Sequence, residues 1–262
     1  GAYHGGWSLG GFAGAGVLLV LLKILSLPVN QSIWGLLIVL FIAMVVVSQF
    51  MLTFGSDPNA KVTKKSKSPL SFHPIALIFG LLSFVSYLVE GAVGDWSALY
   101  LFEDKGIVIE EAVMGVMLFN GTMCIGRLLG NRLGKHLTSK QVVVGGYLLG
   151  SIAMGLIVFL PGHASMYTYL LLGISLAMIV PNLFSAMGEQ NVIPMTQAVA
   201  TSTMLGYMGI LMGPALIGFI AHGTSLTVAF IVLTILLVVS AGIGKYAYHL
   251  MSKDCGLSEE QI

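Results

Sequence analysis

The sequence predicts an all-α integral membrane protein with about eight transmembrane helices. The chain of 262 residues is 56% hydrophobic and only 9% charged, and its mean hydropathy is +0.94. A soluble domain carries about 25% charged residues. The apolar residues form runs close to the ~20 residues that cross a hydrocarbon core about 30 Å thick. We place the spans at about 3–24, 32–53, 74–101, 109–130, 141–161, 165–188, 197–221 and 225–250.

The first two spans and the segment that follows them differ in polarity. Gly10 and Gly14 lie in a stripe of small residues in the first span, a pattern that lets another helix approach closely. The second span has no charged residue. The segment 55–73 is polar and holds four lysines and two prolines, which indicates a solvated cytoplasmic linker. A site for lipid headgroups or for a partner is the alternative interpretation.

The distribution of basic residues orients the chain, because short cytoplasmic loops concentrate Lys and Arg. Ten of the 12 Lys and Arg residues lie on the predicted cytoplasmic side, in loops or at the cytoplasmic ends of spans, and only Lys23 and Lys105 lie on the outside. With an even number of spans, both ends of the chain lie in the cytoplasm. We therefore expect a multi-pass protein of the inner or plasma membrane, with its tail, 251–262, in the cytoplasm.

A short basic segment separates two of the apolar runs and reads Gly126-Arg-Leu-Leu-Gly-Asn-Arg-Leu-Gly-Lys135. We expect it to form a cytoplasmic turn between two antiparallel helices. Its glycines would allow close helix approach, and its arginines would reach an acid such as Glu189 or the carbonyl groups at a helix end. The interpretation that these charges only set the topology remains open.

Two carboxylates interrupt the third span, Glu90 and Asp95. A carboxylate in the middle of a membrane helix costs roughly 2.5–3.5 kcal/mol on insertion scales, so it faces the protein interior or water. Glu90 could bind substrate or a coupling proton, or it could be a structural carboxylate satisfied by its neighbours. Five residues separate the two acids, which places them about 140° apart on a regular helix. Both face one cavity only if Gly91 and Gly94 distort that helix.

Other polar and aromatic residues in the spans are weaker candidates. Asn120 and Asn182 could line a path or hydrogen-bond to a neighbouring helix. Tyr87 and Trp96 could stack on a sugar ring, although a Trp near the outer interface is often an aromatic-belt residue. We expect no cofactor, no metal site and no nucleic-acid partner. The sequence lacks the motifs of a zinc protease or a phosphate loop, which argues against an enzyme.

An internal repeat relates the first and seventh spans. Gly10 aligns with Gly209 and Gly14 with Gly213, at the same offset of 199 residues. Six spans lie within that period, which is typical of transporters built from parallel six-helix units. The repeat divides the chain into the last two helices of one unit (1–54), the linker (55–73) and a complete six-helix unit (74–250). We expect about four helices of the same protein to precede Gly1.

The basic turn resembles the cytoplasmic loop signature of the major facilitator superfamily, with Asn131 where an Asp is usual. The resemblance implies helices 5 to 12 of a twelve-helix bundle. The run from Glu90 to Tyr100 and the run Ile179–Ser185 resemble a bacterial sugar-permease-like branch. In that family the loop helps to latch the cytoplasmic side, and the missing Asp weakens an ionic latch. The residues that the resemblance makes candidates for gating are Gly126, Arg127, Gly130, Asn131, Arg132, Gly134, Lys135 and Glu189.

The resemblance implies secondary transport of a small polar organic solute, such as a sugar or related metabolite, across the lipid bilayer by alternating access. A coupling proton is an open alternative at Glu90. A drug-efflux permease would predict a more apolar cavity and lipophilic cations as substrates. A non-transporting membrane receptor or scaffold is the alternative from another class.

Overall fold

The computed structural model describes residues 2–50, 70–133 and 137–255, and within these ranges the chain is helical and forms no strand. The side chains of residues 2–5, 7, 8, 131–133 and 255 lie outside the description. The helices are α1 (Ala2–Leu19), α2 (Val29–Ser48), α3 (Pro74–Glu103), α4 (Ile109–Leu133), α5 (Ser139–Phe159), α6 (Gly162–Leu176), α7 (Ile179–Glu189), α8 (Met195–Gly223) and α9 (Leu226–Cys255).

The all-helical membrane fold is confirmed. Within the described residues, seven helical segments are long and apolar enough to cross a bilayer, and a shorter apolar helix covers Leu9–Ile24. The sixth predicted span comprises two helices, α6 and α7, separated by Ala177 and Met178. The sequence predicts a kink near this point, because Pro181 has no N–H to donate to the carbonyl of residue 177.

The described chain divides into two compact units. One comprises Gly16–Ser68, and the other comprises Gly1–Ala15 together with Pro69–Ile262. In the smaller unit, Val20–Ile24 forms a π-helical turn, and α2 follows Pro28. All described residues of α2 except Ser32 and Leu36 are exposed. A helix that is apolar on every side and exposed in this way is suited to lipid or to a neighbouring membrane helix.

Helix α3 is the central element of the larger unit. Pro74 occupies its first turn, where a missing N–H costs nothing, and the His73 side chain accepts a hydrogen bond from the Ile75 N–H. Its most apolar stretch is 72% buried, against 6% for α2. Helices α8, α4, α9 and α7 pack around it. Any polar side chain on α3 is therefore surrounded by protein over most of its length.

Glycines of α8 bring that helix into close contact with α3. A Cβ atom added at Gly209 would overlap the Phe84 carbonyl, and one added at Gly213 would lie 2.7 Å from the Leu88 oxygen. Their counterparts in the repeat, Gly10 and Gly14, have no described atom within 4 Å of such a Cβ. The contacts of Gly209 and Gly213 therefore agree with the predicted role in helix packing. For Gly10 and Gly14 the described residues provide no close helix contact.

Replacing Gly209 by Ala should destabilise the protein by about 1–3 kcal/mol, because the methyl group would push α8 away from α3. Gly242→Ala in α9 is the matched control, since nothing lies within 4 Å of its Cβ position and Ala favours a helix over Gly by about 1 kcal/mol. Thermal melting in detergent measures both. Equal melting temperatures for the two variants would contradict the tight α3–α8 interface.

Lys105, one of the two cations outside the predicted cytoplasmic segments, caps a helix. Its ammonium group donates to the carbonyl oxygens of Val158 (2.6 Å) and Leu160 (2.9 Å) at the end of α5. The group also lies 5.3 Å from the centroid of the Tyr100 ring. Partial burial lowers the pKa of Lys105, and the neighbouring Asp104 offsets part of this effect. These contacts give Lys105 a structural reason to depart from the general charge distribution.

Candidate functional site

A buried ion pair joins α3 to α4. Arg127 Nη2 donates to Glu90 Oε1 over 2.8 Å, and the two side chains are only 1% and 6% exposed. Two charges in such surroundings are stable only because each is the counter-ion of the other. The cost of placing Glu90 in the membrane is thus offset by Arg127, a partner that the sequence did not suggest.

Arg127 also holds the interruption between α6 and α7. Its Nε donates to the Ala177 carbonyl oxygen over 3.3 Å, and an interrupted helix leaves carbonyl groups without their usual donors. The next carbonyl, that of Met178, accepts a bond of 2.8 Å from the Asn182 side chain. One guanidinium group therefore connects the carboxylate of α3 to the bend of the sixth span.

The glycines of the basic segment place α4 against this bend. A Cβ atom at Gly126 would lie 2.6 Å from the Ala177 Cβ, and one at Gly130 would overlap the Met178 sulfur. The prediction that Gly126, Arg127 and Gly130 form a turn is wrong, because α4 continues through them to Leu133. A basic, glycine-containing sequence suggested a loop, but a buried counter-charge allows the arginine to lie inside a helix.

A cavity of about 220 Å³ lies beside Glu90. Its lining comes from α3, α4 and α8 and includes Glu90, Gly91, Gly94, Asp95, Phe119, Asn120, Ile210 and Pro214. The structure thus brings together three of the predicted candidates, Glu90, Asp95 and Asn120. The expectation that both acids can face one cavity agrees with this lining. Yet α3 remains a continuous helix there, so a distortion at the glycines is not what allows it.

The polar groups around the cavity are hydrogen-bond acceptors. Glu90 uses only Oε1 to pair with Arg127, and the described residues give Oε2 no hydrogen bond. Asn120 donates its Nδ2 to the Val116 carbonyl, 3.0 Å away. Pro214 has no N–H, so the Ile210 carbonyl cannot receive the bond that residue 214 of a regular helix would donate.

The two aromatic candidates pack against α8 and do not line this cavity. Tyr87 stacks on Tyr207 with ring centroids 5.7 Å apart, and it is 8% exposed. Trp96 donates from Nε1 to the Pro214 carbonyl over 2.9 Å. The geometry gives both residues a packing role, and the expectation that they stack on a sugar ring stays a prediction.

Asn182 lies at a different cavity, of about 340 Å³, which residues of α5, α6 and α7 also line. Its amide bonds the Met178 carbonyl, and the Ser139 hydroxyl lies 3.3 Å from its Oδ1. Glu189 ends α7 and is exposed. The side chains of Asn131 and Arg132, and residues Gly134 and Lys135, lie outside the described part of the chain, so the latch predicted there stays a prediction.

The sequence did not predict the roles of three residues of the site. Arg127 is the counter-ion of Glu90, and Ile210 and Pro214 line the cavity. A signal for Arg127 was present, because it follows an apolar run and the third span needs a positive charge to balance Glu90. No comparable signal marks Ile210. Its carbonyl is available to a ligand because Pro214, one turn later, has no N–H to donate to it. It lies at the cavity because α8 packs against Gly91, whose Cβ position is 3.0 Å from the Ile210 oxygen.

The chain has recognisable relatives, although no family model matches it. It is 36% identical over 244 residues to an uncharacterized MFS-type transporter of Yersinia pestis, covering 91% of this chain and 61% of that protein. It is 31% identical over 151 residues to the membrane protein MosC of Rhizobium meliloti, covering 57% of this chain and 37% of MosC.

A third relative is an uncharacterized transporter of Sinorhizobium fredii, 28% identical over 159 residues, which cover 59% of this chain and 41% of that protein. The chain thus spans between about two fifths and three fifths of the length of these relatives. The match to the Yersinia protein includes almost the whole chain. The chain is homologous to transporters of the MFS (major facilitator superfamily) type.

Proposed function

We propose that this chain forms part of a secondary transporter that moves a small polar organic solute across the membrane by alternating access, with Glu90 at its substrate site. The homology to MFS-type transporters supports the class of activity. The observation that carries the proposal is the cavity beside Glu90, which lies among helices long enough to cross a bilayer. Ionisable groups at membrane depth commonly mark substrate or ion paths.

The charge arrangement favours a role in substrate binding over proton transfer for Glu90 in this conformation. Protonating Glu90 would remove the charge attraction across the Arg127–Glu90 pair, whose side chains are only 1% and 6% exposed, which is costly in a buried site. A substrate that donates a hydrogen bond to Oε2 leaves the ion pair intact. Glu90 can therefore serve as a ligand without a change in its own charge.

The cavity also separates this proposal from the alternatives. The carboxylates would attract a lipophilic cation as well as a polar one. The size of the cavity favours the polar solute, since it has about 220 Å³ and pockets for drug-sized ligands have roughly 300–1,000 Å³. The function of a receptor or scaffold does not require a carboxylate beside a cavity inside the membrane. Uptake by proteoliposomes tests the proposal. Vesicles with the full-length protein should take up small polar solutes faster than empty vesicles, and uptake equal to that of empty vesicles would overturn it.

The proposed topology places the linker and the basic segment in the cytoplasm and the α3–α4 connection outside. With Arg127 buried in α4, nine of the remaining 11 basic residues still lie in the proposed cytoplasmic segments or at the cytoplasmic ends of spans. Single cysteines near Lys65 and Lys135 should react with an impermeant reagent only in inside-out vesicles. A cysteine near Asp104 should react only in right-side-out vesicles. Reaction of the Lys65 and Asp104 positions from the same side would rule out this topology.

A further inference from the structure

The groups around the Glu90 cavity are hydrogen-bond acceptors with few donors to match them. The acceptors are Glu90 Oε2, the Asp95 carboxylate, the Asn120 amide oxygen and the Ile210 carbonyl. Asn120 is the one lining side chain with N–H donors, and one of the two hydrogens on its Nδ2 is bound to the Val116 carbonyl. A ligand that fits this lining must itself donate hydrogen bonds.

The net charge of the lining is negative. Arg127 balances Glu90, but Arg127 lies behind Glu90 with a side chain that is 1% exposed, and it does not line the cavity. Asp95 is exposed, and no described cation pairs with it. A solute entering the cavity therefore meets one carboxylate oxygen of an ion pair and one carboxylate, that of Asp95, with no described counter-ion. Such a field favours a monocation and opposes an anion.

We infer that the cavity binds a small hydrophilic amine as its ammonium ion, with the nitrogen between Glu90 and Asp95. An ammonium group offers three donors and no acceptor, which complements this lining. Hydroxyl groups elsewhere on the solute would donate to Asn120 and to the Ile210 carbonyl. The volume of about 220 Å³ is small, since a drug-sized ligand occupies roughly 300–1,000 Å³. The inference rests on the proposed function insofar as it makes this cavity the substrate site.

Labelling of a cysteine inside the cavity tests the inference without any transport. Gly94 lines the cavity, and a Cβ atom there meets nothing within 4 Å, so Gly94→Cys should fold. Cys124 and Cys255 are first replaced by Ala. The purified protein in detergent is then treated with a cationic (trimethylammonium) or an anionic (sulfonate) ethyl methanethiosulfonate, two reagents of similar size.

The cationic reagent should react at least about tenfold faster than the anionic one at Gly94→Cys, because a nearby unit charge changes the local concentration of either ion. The control is Val108→Cys, which is 55% exposed in the acidic segment next to α4 and reports the field of the surface alone. The preference at residue 94 should exceed that at residue 108. Adding Asp95→Asn should remove most of this excess.

Protection by three small probes then identifies the chemistry of the ligand. Ethanolamine should slow the labelling of Gly94→Cys severalfold, whereas ethylene glycol and glycolate, its neutral and anionic counterparts, should leave the rate unchanged. Equal protection by ethylene glycol would indicate a polyol site and overturn the inference. Equal protection by sodium chloride at matched ionic strength would indicate an inorganic cation and would also overturn the inference. So would a preference for the cationic reagent that Asp95→Asn does not change. Proteoliposomes that bind the amine but move no solute would contradict the proposed transport and leave this inference standing.

Discussion

Replacing Arg127 by Gln should lower the free energy of unfolding by about 3–5 kcal/mol, because the change leaves Glu90 charged and buried without its counter-ion. The same change removes the donor to the Ala177 carbonyl and so frees the interruption between α6 and α7. We expect a sharp fall in the folded yield and in the melting temperature in detergent. Few single substitutions in this chain should cost as much.

Two further variants separate the charge from the packing. Arg127→Gln combined with Glu90→Gln leaves no unpaired charge, so the double variant should be clearly more stable than Arg127→Gln alone. Lowering the pH should partly rescue the single variant, since a protonated Glu90 needs no partner, whereas the same change should weaken the wild-type pair. A double variant no more stable than Arg127→Gln would show that the ion pair does not determine the stability of this region.

The sequence predicts the membrane fold and most helix limits for clear physical reasons. Hydropathy marks the spans, and the start of α3 was predicted at Pro74 because proline is tolerated in the first turn of a helix. The carboxylate in α3 was identified because its cost in a bilayer is large. These inferences use only local composition or the properties of one residue.

The partner of that carboxylate could not be derived in the same way. Glu90 and Arg127 are 37 residues apart and meet only when α3 and α4 are packed. Arg127 was assigned to a cytoplasmic turn because a charged residue lowers the local hydropathy and so marks the end of a predicted span. Hydropathy does not register a counter-charge from another helix. The interruption at Ala177 and Met178 has a local signal in Pro181, which cannot donate to the Ala177 carbonyl. The donor that replaces it, Arg127, is 50 residues away and could not be derived locally.

The second large effect is expected on transport, in the variant that lacks both charges of the pair. Glu90→Gln alone would remove the carboxylate that Arg127 pairs with across α3 and α4, so the double variant Glu90→Gln with Arg127→Gln is the better test of Glu90 as a ligand. A glutamine keeps the size of the side chain but lacks its negative charge, and its amide oxygen is a weaker acceptor than a carboxylate.

If Glu90 binds the substrate, substrate exchange and accumulation against a gradient should fall together, by about tenfold or more, since one lost charge-assisted hydrogen bond is worth about 1.5–3 kcal/mol. Proteoliposomes with equal amounts of folded protein measure both rates. Asp95→Asn, which removes an exposed charge of the same cavity, should weaken both rates while leaving the melting temperature unchanged. Loss of accumulation with normal exchange would instead make Glu90 the carrier of a coupling proton. Normal exchange and normal accumulation in the double variant would exclude Glu90 from the transport path. A side chain that binds the substrate through its charge cannot lose that charge without weakening substrate binding.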